Sequence, residues 1–405
     1  MAPSTSSRLF AGLLVIIAGL LVVLWSGRLY AANGCFSSII SFGDSIADTG
    51  NLKYLASLSE DVGFPCDPPY GQNFIGQSTG RCSNGRLIID FLAESLGLPL
   101  IPPYLSIKGS GSGSLMAFRQ GVNYATGGST AMSSSFIEAK CGESIVINGT
   151  LKDQLAWFKQ SLPFICGNTN SSACRNFIGH SLILMGEIGG NDYNLPLIRG
   201  RSIDYVQSYV PLVIDSIVST INELIKMGAQ TLVVPGNFPI GCFPSYLTTG
   251  VSGVSNNEGY DPITGCLTKL NEFSEYHNKM LQTKLNQIRE LNPNVVVIYA
   301  DYYNALMQIY YSPDEYGFTN GALKACCGGG GPYNYNASIR CGDASTILCD
   351  EPDKYVSWDG VHLTEAAYKL IFKSLFQGQY TTPEFYSLCP RTSTSKGTVI
   401  SSSSI

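Results

Sequence analysis

Short runs of consecutive apolar residues alternate along this chain with longer stretches in which apolar residues recur every three or four positions. Ser37 to Phe42, Val122 to Thr126, Leu182 to Gly186, Thr231 to Val234 and Asn294 to Ala300 are runs of the first kind. The last is rich in β-branched residues and shows no alternation. Such runs predict strands covered on both faces, hence parallel strands joined by helices. In the second kind, Ile203, Val206, Val210, Ile214, Ile217, Ile221, Leu224 and Ile225 predict one long amphipathic helix. Ser202 is its N-cap and Gly228 its end. Leu267, Leu270, Phe273, Leu281, Leu285 and Ile288 predict another, stopped by Pro293, and Thr364 predicts the cap of a last helix over Glu365 to Phe376. Strand and helix alternate throughout, which predicts one α/β domain over 33–385, three-layer α/β/α with a mostly parallel central sheet.

The ends of the chain read differently. Arg8, an apolar run from Leu9 to Trp25 and the small residues Ala31, Ala32 and Gly34 follow in that order. This predicts a secretory signal peptide over 1–32, cleaved near 31–34. A retained signal anchor is the alternative, because the run is near the shortest that spans a bilayer. Residues 386–405, Ser/Thr-rich from Arg391 onward, are expected to form a disordered tail, and Gly109 to Ser114 a flexible loop.

Composition narrows the partners. The chain has 405 residues, 14% of them charged, and a net charge of −5. This mild acidity leaves no electrostatic footprint for nucleic acid. Thirteen cysteines fit an oxidising compartment, and the odd count leaves at least one unpaired within the chain. Cys66/Cys82, Cys166/Cys174 and Cys242/Cys266 are candidate pairs by closeness alone. Zinc ligation is disfavoured, because no two cysteines show C-x₂-C spacing and no histidine pair accompanies them. No metal or cofactor is expected. Asn148, Asn170 and Asn336 head sequons and are glycosylation candidates.

The candidate chemistry follows from a scarcity: there are only three histidines. In an open parallel sheet, ligands sit at the C-terminal strand ends. His180 precedes the strand at Leu182, which is the wrong end. His277 falls on the apolar stripe of its helix and reads as a packing residue. His362 lies in a turn before a helix, three residues after Asp359. That spacing lets a carboxylate reach Nδ1 and leaves Nε2 free as a base. Ser45 follows the first strand directly and is the matching nucleophile, with a helix N-cap as the bland alternative. The segment is not a Gly-x-Ser-x-Gly elbow, since position 47 is alanine. Donors for an oxyanion are offered by the loops Gly127-Gly128-Ser129 and Gly189-Gly190-Asn191-Asp192. Each alone reads as a Gly-rich turn, but both fall with Ser45 and His362 at one predicted sheet edge.

At these four loops the chain resembles the plant GDSL esterase/lipases of the SGNH hydrolase superfamily. Phe42-Gly43-Asp44-Ser45, Gly127-Gly128, Gly189-Gly190-Asn191-Asp192 and Asp359-Gly360-Val361-His362 are similar to that family's blocks in order and spacing, over about residues 36–380. Pro235-Gly236-Asn237-Phe238-Pro239-Ile240-Gly241-Cys242 and Tyr299-Ala300-Asp301-Tyr302-Tyr303-Asn304 resemble the subgroup that includes acetylajmalan esterase and sinapine esterase. The resemblance implies a flavodoxin-like fold and a secreted carboxylic ester hydrolase without a cofactor. It implies Ser45 as nucleophile, His362 as base and Asp359 as its acid. The oxyanion hole would be the Ser45 N–H, the Gly128 N–H and the Asn191 side chain, with Gly127 the rival for the second donor. The implied partner is a small-molecule ester, such as an acetyl, alkaloid or phenolic ester of specialised metabolism, with no stable membrane insertion after signal cleavage. Gly128-Ser129-Thr130 departs from the usual Gly-Ala-Thr, and Cys66 and Cys82 stand where relatives commonly lack cysteine. An acyltransferase using the same serine, or a non-catalytic cell-surface binding protein, are the alternative functions.

Overall fold

The computed structural model describes residues 35–59, 66–74, 76–109, 118–145, 147–166, 172–250 and 259–388. The expected signal segment, the sequon at Asn170, the tail from 389 onward and the Gly/Ser loop beyond Gly109 lie outside the described residues. Five parallel strands form the centre: β1 (Ser38–Ser41), β2 (Gly121–Asn123), β3 (Ser181–Leu184), β4 (Thr231–Pro235) and β5 (Val296–Ala300). Their order is β2-β1-β3-β4-β5. This is the flavodoxin-like order, in which the direction of winding reverses between β1 and β3. Ile39, Ile40, Leu182, Ile183, Leu232, Val233 and Ile298 are fully buried. The absence of alternation in the sequence runs thus reflects helices on both faces.

Val210–Met227 packs against Leu151–Cys166 and Thr268–Leu291, and Glu365–Phe376 packs against Ile88–Ser95 and Tyr302–Tyr311, so the sheet lies between helical layers. Thr364 caps its helix as expected, its hydroxyl accepting the Ala367 N–H at 3.2 Å. The long helix expected from Ile203 to Ile225 is instead two. Ser202 caps the short Ile203–Gln207, the chain breaks at Ser208 and Tyr209, and Val210–Met227 follows. Pro211 is the cause. It lacks an N–H and crowds the preceding turn, so it fits only at a helix start. The second strand is also shorter than expected: after Asn123 the chain runs beside the loop leaving β1, with Tyr124 N–H on Ser41 O and Thr126 N–H on Gly43 O.

Two-residue strands escaped the sequence reading. β6 (Cys327–Gly328) pairs with β7 (Ile347–Leu348), and β8 (Thr381–Thr382) adds an antiparallel edge to β5. Phe385–Leu388 is a helical turn that reaches three residues into the expected tail. Phe385 is buried against Phe36 and Phe376, which fixes it. The bridges Cys66–Cys82, Cys166–Cys174 and Cys242–Cys266 join the close pairs. Cys326–Cys349 and Cys327–Cys341 are further bridges, and Cys141 is free and buried. Cys66, Tyr70, Cys82, Cys326, Cys327, Cys341 and Trp358 form a small core of their own. No helix among the described residues is long and apolar enough to cross a membrane.

Candidate active site

The chain leaves β1 through buried Phe42 and turns at Gly43. Its φ of +131° and its approach to Gly186 and Glu187, which an added Cβ would meet at 3.0–3.1 Å, require glycine there. Asp44 then anchors the turn, its Oδ1 accepting the Ile46 N–H at 2.9 Å. Ser45 stands at the C-terminal edge of the sheet, beside the reversal between β1 and β3. It does not cap the next helix, whose N-cap is Gly50. The Ser45 N–H has no acceptor among the described residues.

The Asp359–His362 turn is closed by the Trp358 N–H on His362 O at 2.7 Å. Asp359 Oδ1 accepts the N–H groups of Val361 at 3.0 Å and His362 at 2.7 Å. Its Oδ2 lies 2.6 Å from His362 Nδ1, and His362 Nε2 lies 2.8 Å from Ser45 Oγ. Residues 317 apart in the sequence therefore meet within hydrogen-bond distance. Tyr70 donates its hydroxyl to Asp359 Oδ2 at 2.6 Å. Burial works to raise the Asp359 pKa. The His362 charge and the hydrogen bonds from His362, Tyr70 and the backbone outweigh it and hold the carboxyl below its ordinary range. Sequence reasoning missed Tyr70, because nothing in Pro68-Pro69-Tyr70 signals a partner almost three hundred residues away.

Gly127 and Gly128 are distinguished by their hydrogen bonds. Gly127 gives its N–H to Asp48 Oδ2 at 2.8 Å. Gly128, at φ +79°, has open space where a Cβ would stand, and its N–H has no acceptor among the described residues. Asn191 Nδ2 donates to Asp44 Oδ2 at 2.9 Å and to Ser129 O at 3.0 Å, so both amide hydrogens have acceptors here.

Beneath these loops four carboxyl groups are buried: Asp44, Asp48, Glu187 and Asp192. None forms an ion pair with a cation among the described residues. Burial, then the neighbouring Glu187 charge, pushes Asp44 well above the carboxylate range, and burial raises Glu187. Burial pushes Asp192 up to about 7, although the Ala131 and Met132 N–H groups oppose this.

A cavity of about 290 Å³ opens in front of Ser45, Gly128, Asn191 and His362. Leu52, Leu195, Ile198 and Val361 give it apolar walls, the Cys66–Cys82 bridge forms part of its rim, and Asn148 also lines it. Asn336 is exposed at the surface. The other histidines lie elsewhere. His180 is exposed at the start of β3, with Nδ1 against Asn176 O. His277 is buried with Nδ1 2.8 Å from the Tyr193 hydroxyl, and burial pushes its pKa down to about 3.

The chain is similar to known proteins over most of its length. The family model for GDSL-like Lipase/Acylhydrolase matches residues 39–375. Three GDSL esterase/lipases of Arabidopsis thaliana are 50%, 53% and 51% identical to this chain. The matches cover 92%, 86% and 86% of this chain, and 90%, 86% and 87% of the respective relatives.

Proposed function

The chain belongs to the GDSL-like lipase/acylhydrolase family and is a serine esterase/lipase, and from that premise we propose that Ser45, His362 and Asp359 perform its chemistry. His362 Nε2 takes the Ser45 proton as Oγ attacks the ester carbonyl carbon. The oxyanion forms against the N–H groups of Ser45 and Gly128 and the Asn191 amide, which exchanges one of its present acceptors for it. The Ser45 and Gly128 N–H groups, which have no acceptor among the described residues, are preformed donors of the kind that stabilise charge appearing only in the transition state. The alcohol leaves with the proton from His362. Water then attacks the acyl-enzyme, giving its proton to His362, and the acid departs as Ser45 is regenerated. Asp359 stays ionised throughout and orients the imidazole.

The observation that supports this reading best is the unbroken chain Ser45 Oγ–His362 Nε2 at 2.8 Å and His362 Nδ1–Asp359 Oδ2 at 2.6 Å. Its substrate is a small carboxylic ester, with acetyl, alkaloid and phenolic esters of specialised metabolism the class that the sequence resemblance favours. The N-terminal apolar segment and the disulfides support secretion. Ser45→Ala is the direct test. It is expected to abolish turnover of p-nitrophenyl acetate and labelling by a fluorophosphonate. Undiminished turnover in the variant overturns the assignment.

A further inference from the structure

We propose that Tyr70 is a positioning residue for this reaction: its hydroxyl shares Asp359 Oδ2 with His362 and thereby sets how much of the carboxylate's charge the imidazole receives. The inference rests on the proposed roles of Ser45, His362 and Asp359. Tyr70 Oη and His362 Nδ1 each lie 2.6 Å from the same oxygen. Hydrogen bonds to an ionised acceptor are the strong ones, and two donors on one oxygen divide its charge.

Tyr70 is built into its place. It is only 2% exposed, and its ring meets Trp358 edge-on at 5.9 Å. The Cys66–Cys82 bridge closes the segment that carries it, and the Gly71 N–H holds Ser83 O at 2.9 Å. On the other side, the Cys327 N–H holds Trp358 O at 2.7 Å, within the hairpin tied by the other two bridges of that small core. Burial, followed by the Asp359 charge, raises the phenol well above its ordinary pKa, so Tyr70 acts here only as a donor. The remaining titratable groups near the turn are Tyr335, whose ring lies against Gly360; Tyr368, whose hydroxyl takes the Leu363 N–H; Asp44 beside Ser45; and Glu365, which is paired with Arg86. No lysine or arginine pairs with Asp359 or His362 among the described residues.

Removal of the phenol leaves Oδ2 to the imidazole alone. The carboxylate then stabilises the imidazolium more, and a higher pH is needed to free Nε2 as base. A stronger donor does the reverse. The experiment is the pH profile of kcat/KM on p-nitrophenyl acetate for the wild type, Tyr70→Phe and protein carrying 3-fluorotyrosine at position 70, with Ser45→Ala as control. Tyr70→Phe is expected to change KM little, because Tyr70 touches Asp359 and does not line the substrate cavity. Its acid limb is expected to move to higher pH, and that of the isosteric fluorotyrosine protein to lower pH. Mere loosening of the Asp359–His362 contact moves the Tyr70→Phe limb downward, so a downward or unmoved limb overturns the inference while Ser45-dependent turnover keeps the parent reading standing. Wild-type protein without Ser45-dependent turnover overturns both.

Discussion

Gly127 donates its backbone N–H to Asp48 Oδ2 at 2.8 Å, although it stands next to a glycine whose N–H is left open to the cavity. Asp48 accepts three further N–H groups, those of Gly50 at 2.7 Å, Asn51 at 2.6 Å and Leu52 at 2.9 Å. One buried carboxylate thus joins the loop after β1 to the loop after β2 and fixes which of two adjacent glycines keeps an open N–H.

Asp48→Asn is expected to destabilise the fold. Its amide nitrogen cannot accept, so at least one of the four N–H groups loses its partner, at a cost of about 1–3 kcal/mol. Urea unfolding at neutral pH measures this, and an unchanged midpoint would show that the loops hold without the carboxylate.

Asn191→Ala is expected to lower kcat by about 10²–10³-fold, the range for a single lost oxyanion donor. Steady-state kinetics with p-nitrophenyl acetate reads it. Should kcat stay near the wild-type value, Asn191 serves only to tie Asp44 to Ser129.

Stability should fall between mildly acidic and mildly alkaline pH. Asp192 has a folded-state pKa of about 7, above its ordinary value, so the folded chain holds this proton more tightly than the unfolded one. Its stabilising contribution is complete below about pH 4 and is lost as pH rises through about 7. Asp44, Asp48 and Glu187 are shifted in the same direction. His277, lowered by burial to about 3, opposes them up to its unfolded value near 6.5 and is outweighed by the four carboxyl groups. Asp359 is shifted oppositely, but its contribution is complete above its unfolded value and constant across this window. A higher thermal midpoint at pH 5 than at pH 8 is the expected result, with a weaker slope in Asp192→Asn; a midpoint that rises with pH contradicts it.

Glycosylation is expected at Asn336 and not at Asn148 in active protein. Asn148 lines the cavity in front of Ser45, and the hydroxyl of its sequon Thr150 is bound to Asp153 at 2.6 Å. A glycan on Asn148 would fill the space a substrate needs. Glycopeptide mass spectrometry of the active fraction decides the matter.

The double variant Cys66→Ala/Cys82→Ala should lose about 3 kcal/mol of stability, the scale for opening a loop of roughly this length. Its kcat should fall as well, because the bridge closes the segment that carries Tyr70. Loss of stability with kcat preserved would separate the bridge from the chemistry.

Local patterns carried much of the fold. The parallel strands were legible because burial on both faces removes alternation, and Thr364, Gly228 and Pro293 marked helix ends because capping and chain breaking act within a few residues. Where two local signals competed, periodicity misled: the apolar stripe ran through Ser208 and Tyr209, but Pro211 forced a new helix to start. The two-residue strands β6, β7 and β8 are too short to carry any period.

The sequence by itself determined the strand and helix alternation and the short Asp359-to-His362 spacing, both of which depend on neighbours along the chain. Tertiary structure alone decided that Ser45 meets His362, that Gly128 and not Gly127 keeps an open N–H, and that Tyr70 reaches Asp359. These depend on which loops the sheet order brings to the reversal between β1 and β3, and on which donors find acceptors once packed there. Hydrogen-bond partners far apart in the chain are chosen by that packing, and no spacing along the sequence records the choice.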